Sequence, residues 1–472
     1  MIRIEVGPME TVIRNWPSGD VRIRELREMC SFEIRQGDYA PTAFDPMVFN
    51  GRKYLIHNAG NTYTIPSGLL ERVMPFFETH KATLPYELII PECRVNRTNL
   101  TYNNFQLRPY QPTAVMRTLF PPSKTVAKMG GIMQAATGAG KTAMAARMIS
   151  LLKATTLFVV HTKDLLMQAK KAFESFLGIK VGVIGAGKKD VQPVTVATIQ
   201  SLQSGYDDLL STVEFVMFDE CHHVAARTLY DTAMKLKNVK CVVGLSASPW
   251  RDDNHDLMIE AICGPVRYVI TASDLIDQGF LVPPEITVYR RPLPANLKRM
   301  RIDAQSYQKA YRKVVVEDEG RNRLIQRIAK EQLAAGRRLL VLVRQVDHGQ
   351  MLESMIPGSV FVEGQTKLAD REKAFEDFRT GKIPCLIGTS LADEGVDIPN
   401  ADALILAGAG SSSTRALQRI GRVIRCAPGK TSAFVADIVD EHASFQRQFY
   451  ARRKMYESER RFKITTVNLP VD

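Results

Sequence analysis

Apolar and polar positions alternate in two different periods along most of the chain after residue 104. Short apolar runs predict buried strands, and stretches with an apolar residue at every third or fourth position predict helices. The two kinds of segment follow one another, which indicates a parallel sheet with helices on both faces. The apolar run Ile132–Met133 is the first predicted strand, and others cover residues 156–161, 180–184, 194–198, 214–218 and 240–248.

A second block with the same alternation begins after the Pro-rich junction at residues 281–284. It predicts helices at 320–336, 346–355 and 368–378, and strands at 338–344, 360–363 and 384–389. We therefore expect an α/β protein with two parallel-sheet domains in tandem, at residues 104–284 and 285–440. Ligands of such sheets collect at the carboxyl ends of the strands.

Residues 1–103 predict a smaller α/β domain with short strands at 2–6, 11–15 and 29–35 and a helix at 68–80. Residues 53–57 and 62–65 flank Asn58–Asn61 as a predicted hairpin. Substrate binding is the candidate role of this domain. Its arginines could contact phosphates or form a solvated face: Arg22, Arg24 and Arg27.

Charge is unevenly distributed over the 472 residues, whose formal net charge is +13. The first 100 residues hold 12 basic and 12 acidic side chains, whereas residues 291–472 hold 31 and 22. This excess favours a polyanionic partner such as nucleic acid, with a merely solvated basic surface as the alternative. Residues 441–472 carry a basic, aromatic-containing predicted helix, which could dock on the second domain or lie along a phosphate backbone.

The composition indicates a globular protein in a reducing compartment. The seven cysteines are scattered without a C-x-x-C pair, which argues against a disulfide framework and a zinc site. No apolar run approaches the roughly 20 residues that span a bilayer, and the amino terminus MIRIEVGPME lacks the apolar segment of a signal peptide. We expect a cytoplasmic protein without a membrane partner.

The segment GGIMQAATGAGKTAM, residues 130–144, predicts a strand, a tight turn and a helix. Glycines let backbone N–H groups face a triphosphate, and the helix adds its positive end. Lys141 is the candidate for the β- and γ-phosphates, and Thr142 is a candidate ligand of Mg²⁺. Ala135 replaces the first glycine of the full pattern, so a turn that caps a buried strand is the alternative. The other candidate ATP contacts here are Thr137, Gly138, Ala139 and Gly140.

Two further stretches add candidate nucleotide contacts. Arg108 and Gln111 stand upstream of the loop, where the Gln111 amide could read adenine or cap the following helix. The run VEFVMFDECH ends in Asp219, a candidate Mg²⁺ ligand, and Glu220, which could orient and deprotonate the attacking water. A solvated acidic pair is the alternative. The Cys-His-His sequence that follows has no partner ligands at zinc spacing.

The second block contributes candidates without a phosphate loop of its own. After the strand ending near residue 389, Gly395 and Asp397 are candidate nucleotide contacts, with Asp397 suited to a ribose hydroxyl. The helix predicted at 414–425 places three side chains on one face, and they are catalytic candidates: Gln418, Arg422 and Arg425. Its two arginines could neutralise charge on the departing phosphoryl group, or the helix could be a basic surface helix.

In this order the stretches resemble the motifs of superfamily 2 helicases, over about two thirds of the chain. The motifs are the upstream glutamine, ATGAGKT, HTKDLLMQA, VATIQSL, DECH, SAS, TSLADEGVDIP and QRIGRVIR. The DECH box and GLSASPWRDD look most like the DNA-acting XPB-type and phage UvsW-type members. SAS stands where many members have a threonine, and the amino-terminal domain matches no motif.

The resemblance implies two RecA-like domains that hold ATP and Mg²⁺ in the cleft between them. It also implies four nucleic-acid contacts: Thr162, Lys163, Thr198 and Gln200. Ser246 and Ser248 could relay the nucleotide state to a neighbouring domain or only cap their strand.

The expected function is that of an ATP-dependent DNA helicase. We expect it to act as a monomer on forked, branched or single-stranded DNA, beside other recombination, repair or replication proteins. The alternatives are an RNA helicase with the same motor and a translocating subunit or clamp that separates no strands.

Overall fold

The computed structural model describes residues 1–34, 48–92, 94–121, 129–203, 205–222, 226–247, 256–293, 295–298, 306–389, 401–408 and 413–470. The chain forms two compact units. The first consists of Met1–Ala135 and Gly140–Val269, and the second of Ala136–Ala139 and Ile270–Asp472. Among the described helices, none combines the length and the apolar character that crossing a bilayer requires.

The amino-terminal part of the first unit contains two small sheets. Its helices are α1 (Ile23–Met29) and α2 (Leu70–Thr79). Its strands are β1 (Ile2–Val6), β2 (Glu10–Arg14), β3 (Ser31–Glu33), β4 (Val48–Phe49), β5 (Arg52–Tyr54), β6 (His57–Ala59), β7 (Thr62–Pro66) and β8 (Tyr86–Ile89). One sheet has the order β6-β7-β2-β1-β8 and the other β3-β5-β4.

Alternation along the strands decides which face of the five-stranded sheet is buried. In β1, Ile2, Ile4 and Val6 point into a core with Val73 and Phe77 of α2. The other face carries ion pairs between Arg3 and Glu87 and between Arg14 and Glu5. Charges on this outer face are thus largely paired with each other.

The rest of the first unit is built on an eight-stranded sheet of order β12-β11-β13-β10-β14-β15-β9-β16. Its helices are α3 (Gln111–Leu119), α4 (Lys141–Leu152), α5 (Lys163–Leu177), α6 (Asp207–Thr212), α7 (Ala226–Ala233) and α8 (Asp256–Cys263). Its strands are β9 (Met129–Ala135), β10 (Thr156–Val160), β11 (Gly182–Gly185), β12 (Lys188–Asp190), β13 (Val194–Thr198), β14 (Phe215–Asp219), β15 (Cys241–Ser246) and β16 (Val266–Ile270).

The central strands β13, β10, β14, β15 and β9 pair in parallel. Every residue of β10, β13 and β15 is buried, as expected when helices cover both faces of a sheet. This is why the sequence shows uninterrupted apolar runs here. All five strands present their carboxyl ends at the same edge.

The second unit contains a seven-stranded sheet of order β19-β20-β18-β21-β22-β17-β23. Its helices are α9 (Ala272–Asp277), α10 (Ala295–Lys298), α11 (Tyr307–Tyr311), α12 (Glu319–Ala334), α13 (Val346–Met355), α14 (Leu368–Arg379), α15 (Ser413–Val423) and α16 (Ala443–Ser458). Its strands are β17 (Pro284–Arg291), β18 (Leu339–Leu342), β19 (Ser359–Val362), β20 (Cys385–Gly388), β21 (Ala403–Leu406), β22 (Ala433–Asp440) and β23 (Lys463–Asn468).

The predicted α/β class with two parallel sheets is confirmed, and two local predictions were wrong. Residues 52–54 form β5 in the three-stranded sheet, so the hairpin partner of β7 is β6. The carboxyl-terminal helix ends at Ser458, and β23 follows it as an edge strand paired with β17. Eight strands lie wholly outside the predicted ranges: β4, β8, β12, β16, β17, β21, β22 and β23.

The carboxyl-terminal helix α16 is anchored to the second sheet by a buried charge cluster. Arg452 donates two hydrogen bonds to the carboxylate of Asp437 on β22, at 3.0 and 2.8 Å. The Tyr456 hydroxyl donates to the same carboxylate at 3.0 Å. Because all three residues are buried, α16 packs on the second sheet at this face rather than presenting it to a polyanion.

We expect Arg452→Ala to destabilise the second unit by about 3–5 kcal/mol, because it leaves the Asp437 carboxylate buried without its cation. The neighbouring Arg453 forms an exposed ion pair with Glu457, so Arg453→Ala should cost less than about 1 kcal/mol. Urea unfolding followed by circular dichroism measures both. Equal effects of the two substitutions would show that the buried cluster does not anchor α16.

Candidate functional site

The phosphate loop candidate joins the end of β9 to the start of α4. Gly138 and Gly140 have φ angles of 91° and 76°, in the left-handed region that favours glycine. Gly140 immediately precedes Lys141, the first residue of α4. The backbone N–H groups of Lys141 and Thr142 therefore belong to the first turn, which has no hydrogen-bond acceptors for them within the helix. The backbone therefore has the form that the sequence predicted for binding phosphate.

The upstream glutamine lies against this loop. Gln111 is buried, and a Cβ atom added to Gly140 would lie 2.6 Å from its Nε2 atom. Its Oε1 atom accepts a hydrogen bond from the Arg108 backbone N–H at 2.9 Å. The structure thus brings the Arg108–Gln111 turn to the loop, and a side chain at position 140 would displace the amide.

The acidic pair meets the loop lysine at the carboxyl edge of the sheet. Lys141 Nζ donates to Glu220 Oε1 at 2.7 Å, with both side chains mostly buried. Glu220 has a φ of 44°, a left-handed value that is costly for a residue with a Cβ atom. Strain of this kind persists where the surroundings hold the side chain in a required place.

Asp219 is the last residue of β14, and its Oδ1 atom accepts from the Glu220 N–H at 3.1 Å. Its carboxyl group is surrounded by protein atoms although the residue keeps some exposed surface. This burial, together with the negative charge of Glu220, raises the pKa of Asp219, and Lys141 only partly opposes the shift. A cation beside Asp219 would favour its charged form.

The residues present fit a magnesium ion. Carboxylate and hydroxyl oxygens are the ligands that Mg²⁺ prefers, and Asp219 and Thr142 offer them. Bound Mg²⁺ would neutralise phosphate charge, with Lys141 as the candidate to bind phosphate oxygens and Glu220 as the candidate to accept a proton from water.

A hydrogen bond that the sequence did not reveal links two motifs of the site. His222 Nδ1 lies 2.7 Å from Ser246 Oγ, and both side chains are buried. Ser246 ends β15, the strand next to β14. The available signal was that Ser246 ends β15 and His222 closely follows β14, so both lie at the same edge of the sheet. Ser248 and His223 lie outside the described residues.

The four candidate nucleic-acid contacts lie at the carboxyl ends of two adjacent strands, β10 and β13, where Val160 faces Thr198. Thr162 caps α5 by accepting from the Leu165 N–H at 3.3 Å, and Lys163 begins that helix. Gln200 is exposed and donates to the His161 carbonyl at 3.4 Å. Thr198 is buried, with its hydroxyl 2.8 Å from Ser201 Oγ, so its side chain offers little surface to a strand.

The candidate residues of the second unit lie on α15 and just after it. Gln418 and Arg422 are buried, and Arg425 is half-buried. Among the described residues, Gln418 Oε1 has no hydrogen-bond donor, although it is buried. A Cβ atom on Gly421 would lie 2.4 Å from Thr137 Cβ, a contact within the second unit. The helix is therefore not a solvated basic surface helix along this face.

The structure thus groups the candidates into sets. Lys141, Asp219, Glu220 and Gln111 surround the helix start in the first unit, and the strand-end residues of β10 and β13 share the same sheet edge. Gln418 and Arg422 share one face of α15. Gly395 and Asp397 lie outside the described residues, so their predicted contacts stay predictions.

Two family models match the chain. The model "Type III restriction enzyme, res subunit" matches residues 104–251, and "Helicase conserved C-terminal domain" matches residues 321–427. The first match contains the phosphate loop, the acidic pair and the candidate nucleic-acid contacts. The second contains α15 with its glutamine and arginines.

Similar proteins include two helicase relatives. The "Putative helicase 22" of Sulfolobus islandicus filamentous virus is 29% identical over 77% of this chain and 70% of its own length. The "DNA 3'-5' translocase XPB2" of Sulfurisphaera tokodaii is 26% identical over 69% of this chain and 80% of its own length.

Among solved structures, a fragment of a putative HsdR subunit of a type I restriction enzyme from Vibrio vulnificus has the same fold. It matches with a TM-score of 0.58 and 17% identity over 78% of this chain and 69% of that chain. The motifs and these matches agree. They support an ATP-dependent helicase of the superfamily 2 type, and the chain is most similar in its motifs to the XPB-type members.

Proposed function

We propose that this helicase acts on DNA, as a DNA-dependent ATPase that remodels or unwinds forked or branched DNA in recombination, repair or replication. The observation that carries the proposal is the ion pair between Lys141 and Glu220, with Asp219 beside it, at the sheet edge that also carries Thr162, Lys163 and Gln200. ATP hydrolysis and binding of the DNA strand would then take place at the same edge of one sheet.

DNA is favoured over RNA by the names of the relatives, and the charge of the chain favours a nucleic acid of either kind. The Sulfurisphaera tokodaii relative is named as a DNA translocase, and residues 291–472 carry most of the net charge of +13. Gln418, Arg422 and Arg425 are proposed to stabilise the transferred phosphoryl group. Cycles of hydrolysis would change the grip on the strand and so move the protein along it.

We further propose Asp219 and Thr142 as the Mg²⁺ ligands of this reaction. Support comes from the raised pKa of Asp219, caused by burial and the neighbouring Glu220 charge. Without a metal ion, ionising Asp219 inside the fold is costly. A divalent cation at this carboxylate offsets that cost, and ATP brings such a cation with it.

The raised pKa predicts how stability depends on pH without magnesium. The pKa of Asp219 rises from 3.8 to about 7, so the unfolded chain ionises this group first and the folded protein loses stability as pH rises between these values. Asp219→Asn removes the cost of ionising this buried carboxyl group. In EDTA the free energy of unfolding of the variant, relative to the parent protein, should therefore increase from pH 4 to pH 7 and stay constant above pH 7.

Urea unfolding at a series of pH values measures this difference, and ATPase activity of the same variant should be lost. Asp208→Asn changes an exposed carboxylate of the same unit and serves as the control. A pH-independent difference for Asp219→Asn would contradict the raised pKa of this buried carboxylate and the proposal that a cation binds it.

Lys141→Ala and Glu220→Gln should each lower DNA-stimulated ATP hydrolysis by at least about 10²-fold. The first removes the cation that binds the phosphates, and the second removes the proton acceptor for water. Lys171→Ala alters an exposed lysine of α5 and should leave turnover unchanged. Circular dichroism confirms folding, and unchanged turnover in both site variants would end the proposal.

The nucleic-acid preference is tested by ATPase stimulation with single-stranded DNA, duplex, fork, four-way junction and RNA at matched salt. We expect the fork and the junction to stimulate most strongly, and strand displacement on the same forks to require ATP. Stronger stimulation by RNA would identify an RNA helicase. Stimulation by DNA without strand displacement would identify a translocating subunit or clamp.

A further inference from the structure

One arginine connects the amino-terminal sheets to the strand that leads into the phosphate loop. Arg267 on β16 makes a bidentate ion pair with Glu71 of α2, in which Nη1 lies 2.8 Å from Oε2 and Nη2 bonds Oε1. Its Nε atom donates to the carbonyl oxygen of Gly130 on β9 at 3.3 Å. The Arg267 and Glu71 side chains are only 11% and 25% exposed.

The glycine pair at the start of β9 makes room for this arginine. A Cβ atom on Gly131 would lie 2.3 Å from Arg267 Cγ and 2.8 Å from the Pro265 carbonyl oxygen. A Cβ atom on Gly130 would lie 2.0 Å from the Val242 carbonyl oxygen. Both glycines have positive φ, at 105° and 143°. Arg267 therefore fills the space where β9 has no side chains, just upstream of the phosphate loop.

The amino-terminal sheets are held against the same flank of the eight-stranded sheet. A Cβ atom on Gly68 would lie 2.2 Å from the Glu260 carbonyl oxygen, so this backbone touches α8 directly. Leu257 and Met258 of α8 belong to the core of the amino-terminal sheets. A second ion pair joins Arg72 of α2 to Glu260 of α8, and neither of its two hydrogen bonds involves an atom of β9.

We propose that Arg267 is a positioning residue for the ATPase reaction, through which the amino-terminal domain holds β9 and sets the affinity of the phosphate loop for nucleotide. The proposal deepens the proposed function and rests on it. Glu71 orients the guanidinium, and the guanidinium and its stem hold the backbone at Gly130 and Gly131. β9 has β15 on its other side, so Arg267 clamps the strand from the β16 side.

The mechanism follows from the absence of side chains at this point of β9. Two successive glycines give the backbone of β9 more conformational freedom than other residues would. Because the phosphate loop follows this strand, that freedom makes the positions of the loop N–H groups less well defined. Arg267 removes that freedom with one hydrogen bond and close packing. Because Glu71 belongs to the amino-terminal domain, anything that moves that domain changes how firmly β9 is held.

The test uses the full chain and compares two ion pairs that α2 makes, one with β16 and the other with α8. Arg267→Gln should weaken the affinity for a fluorescent ADP analogue, and raise the KM for ATP, by roughly three- to thirtyfold, while kcat stays within about twofold. Arg72→Gln breaks the other ion pair and leaves β9 untouched. It should lower the melting temperature without changing nucleotide affinity.

Equal changes in affinity for Arg72→Gln and Arg267→Gln, or no change for either, would overturn the proposal, because the ion pairs would then only fasten the domain. If Arg267→Gln fails to fold, Gly131→Ala supplies the test, since it displaces the arginine stem while keeping every charge. Gly131→Ala is expected to weaken nucleotide binding, and unchanged binding would count against the clamp.

A double variant with the charges of the ion pair exchanged distinguishes attachment of the amino-terminal domain from positioning of β9. Glu71→Arg combined with Arg267→Glu can restore the ion pair, but glutamate cannot donate to the Gly130 carbonyl oxygen. We expect the melting temperature to recover and the affinity to stay weak. Recovery of both would overturn the claim about β9. Binding of the ADP analogue is measured without nucleic acid, so its outcome is independent of whether DNA stimulates the enzyme.

Discussion

One ammonium group holds together the charges on which the site depends. Asp219 and Glu220 stand side by side at the end of β14, and Lys141 begins the helix after β9. A single strand, β15, separates β14 from β9, so their ends lie about 10 Å apart at the usual strand spacing. A lysine side chain spans that gap and reaches Glu220. The parallel order of the strands therefore decides which residues can share a phosphate.

Strand β15, which lies between β14 and β9, also ends at this site. β15 ends in Ser246, whose hydroxyl lies 2.7 Å from Nδ1 of His222, two residues beyond the acidic pair. This buried hydrogen bond joins the end of β15 to the segment that follows Glu220. It gives the first serine of the SAS stretch a structural partner.

The sequence was most informative where a residue's neighbours along the chain decide its environment. Helix α13 and strand β13 have the predicted bounds, because their apolar patterns are strong. The phosphate loop and the acidic pair follow from strand ends in the same way. β17 and β22 were missed because both contain charged residues, such as Arg291 and Asp440, whose burial is compensated by ion pairs. Such pairs join distant parts of the chain.

The glycines at 130 and 131 show where sequence reasoning stops. They belong to strand β9, and their missing side chains have a cause that lies elsewhere in the chain. Gly138 and Gly140 adopt the left-handed backbone conformation that the loop requires. At Gly131, by contrast, a side chain would collide with Arg267, which lies more than a hundred positions later in the chain. A local pattern cannot distinguish these reasons, because the colliding atom belongs to another strand. The same holds for Gly140, whose missing side chain also leaves space for Gln111.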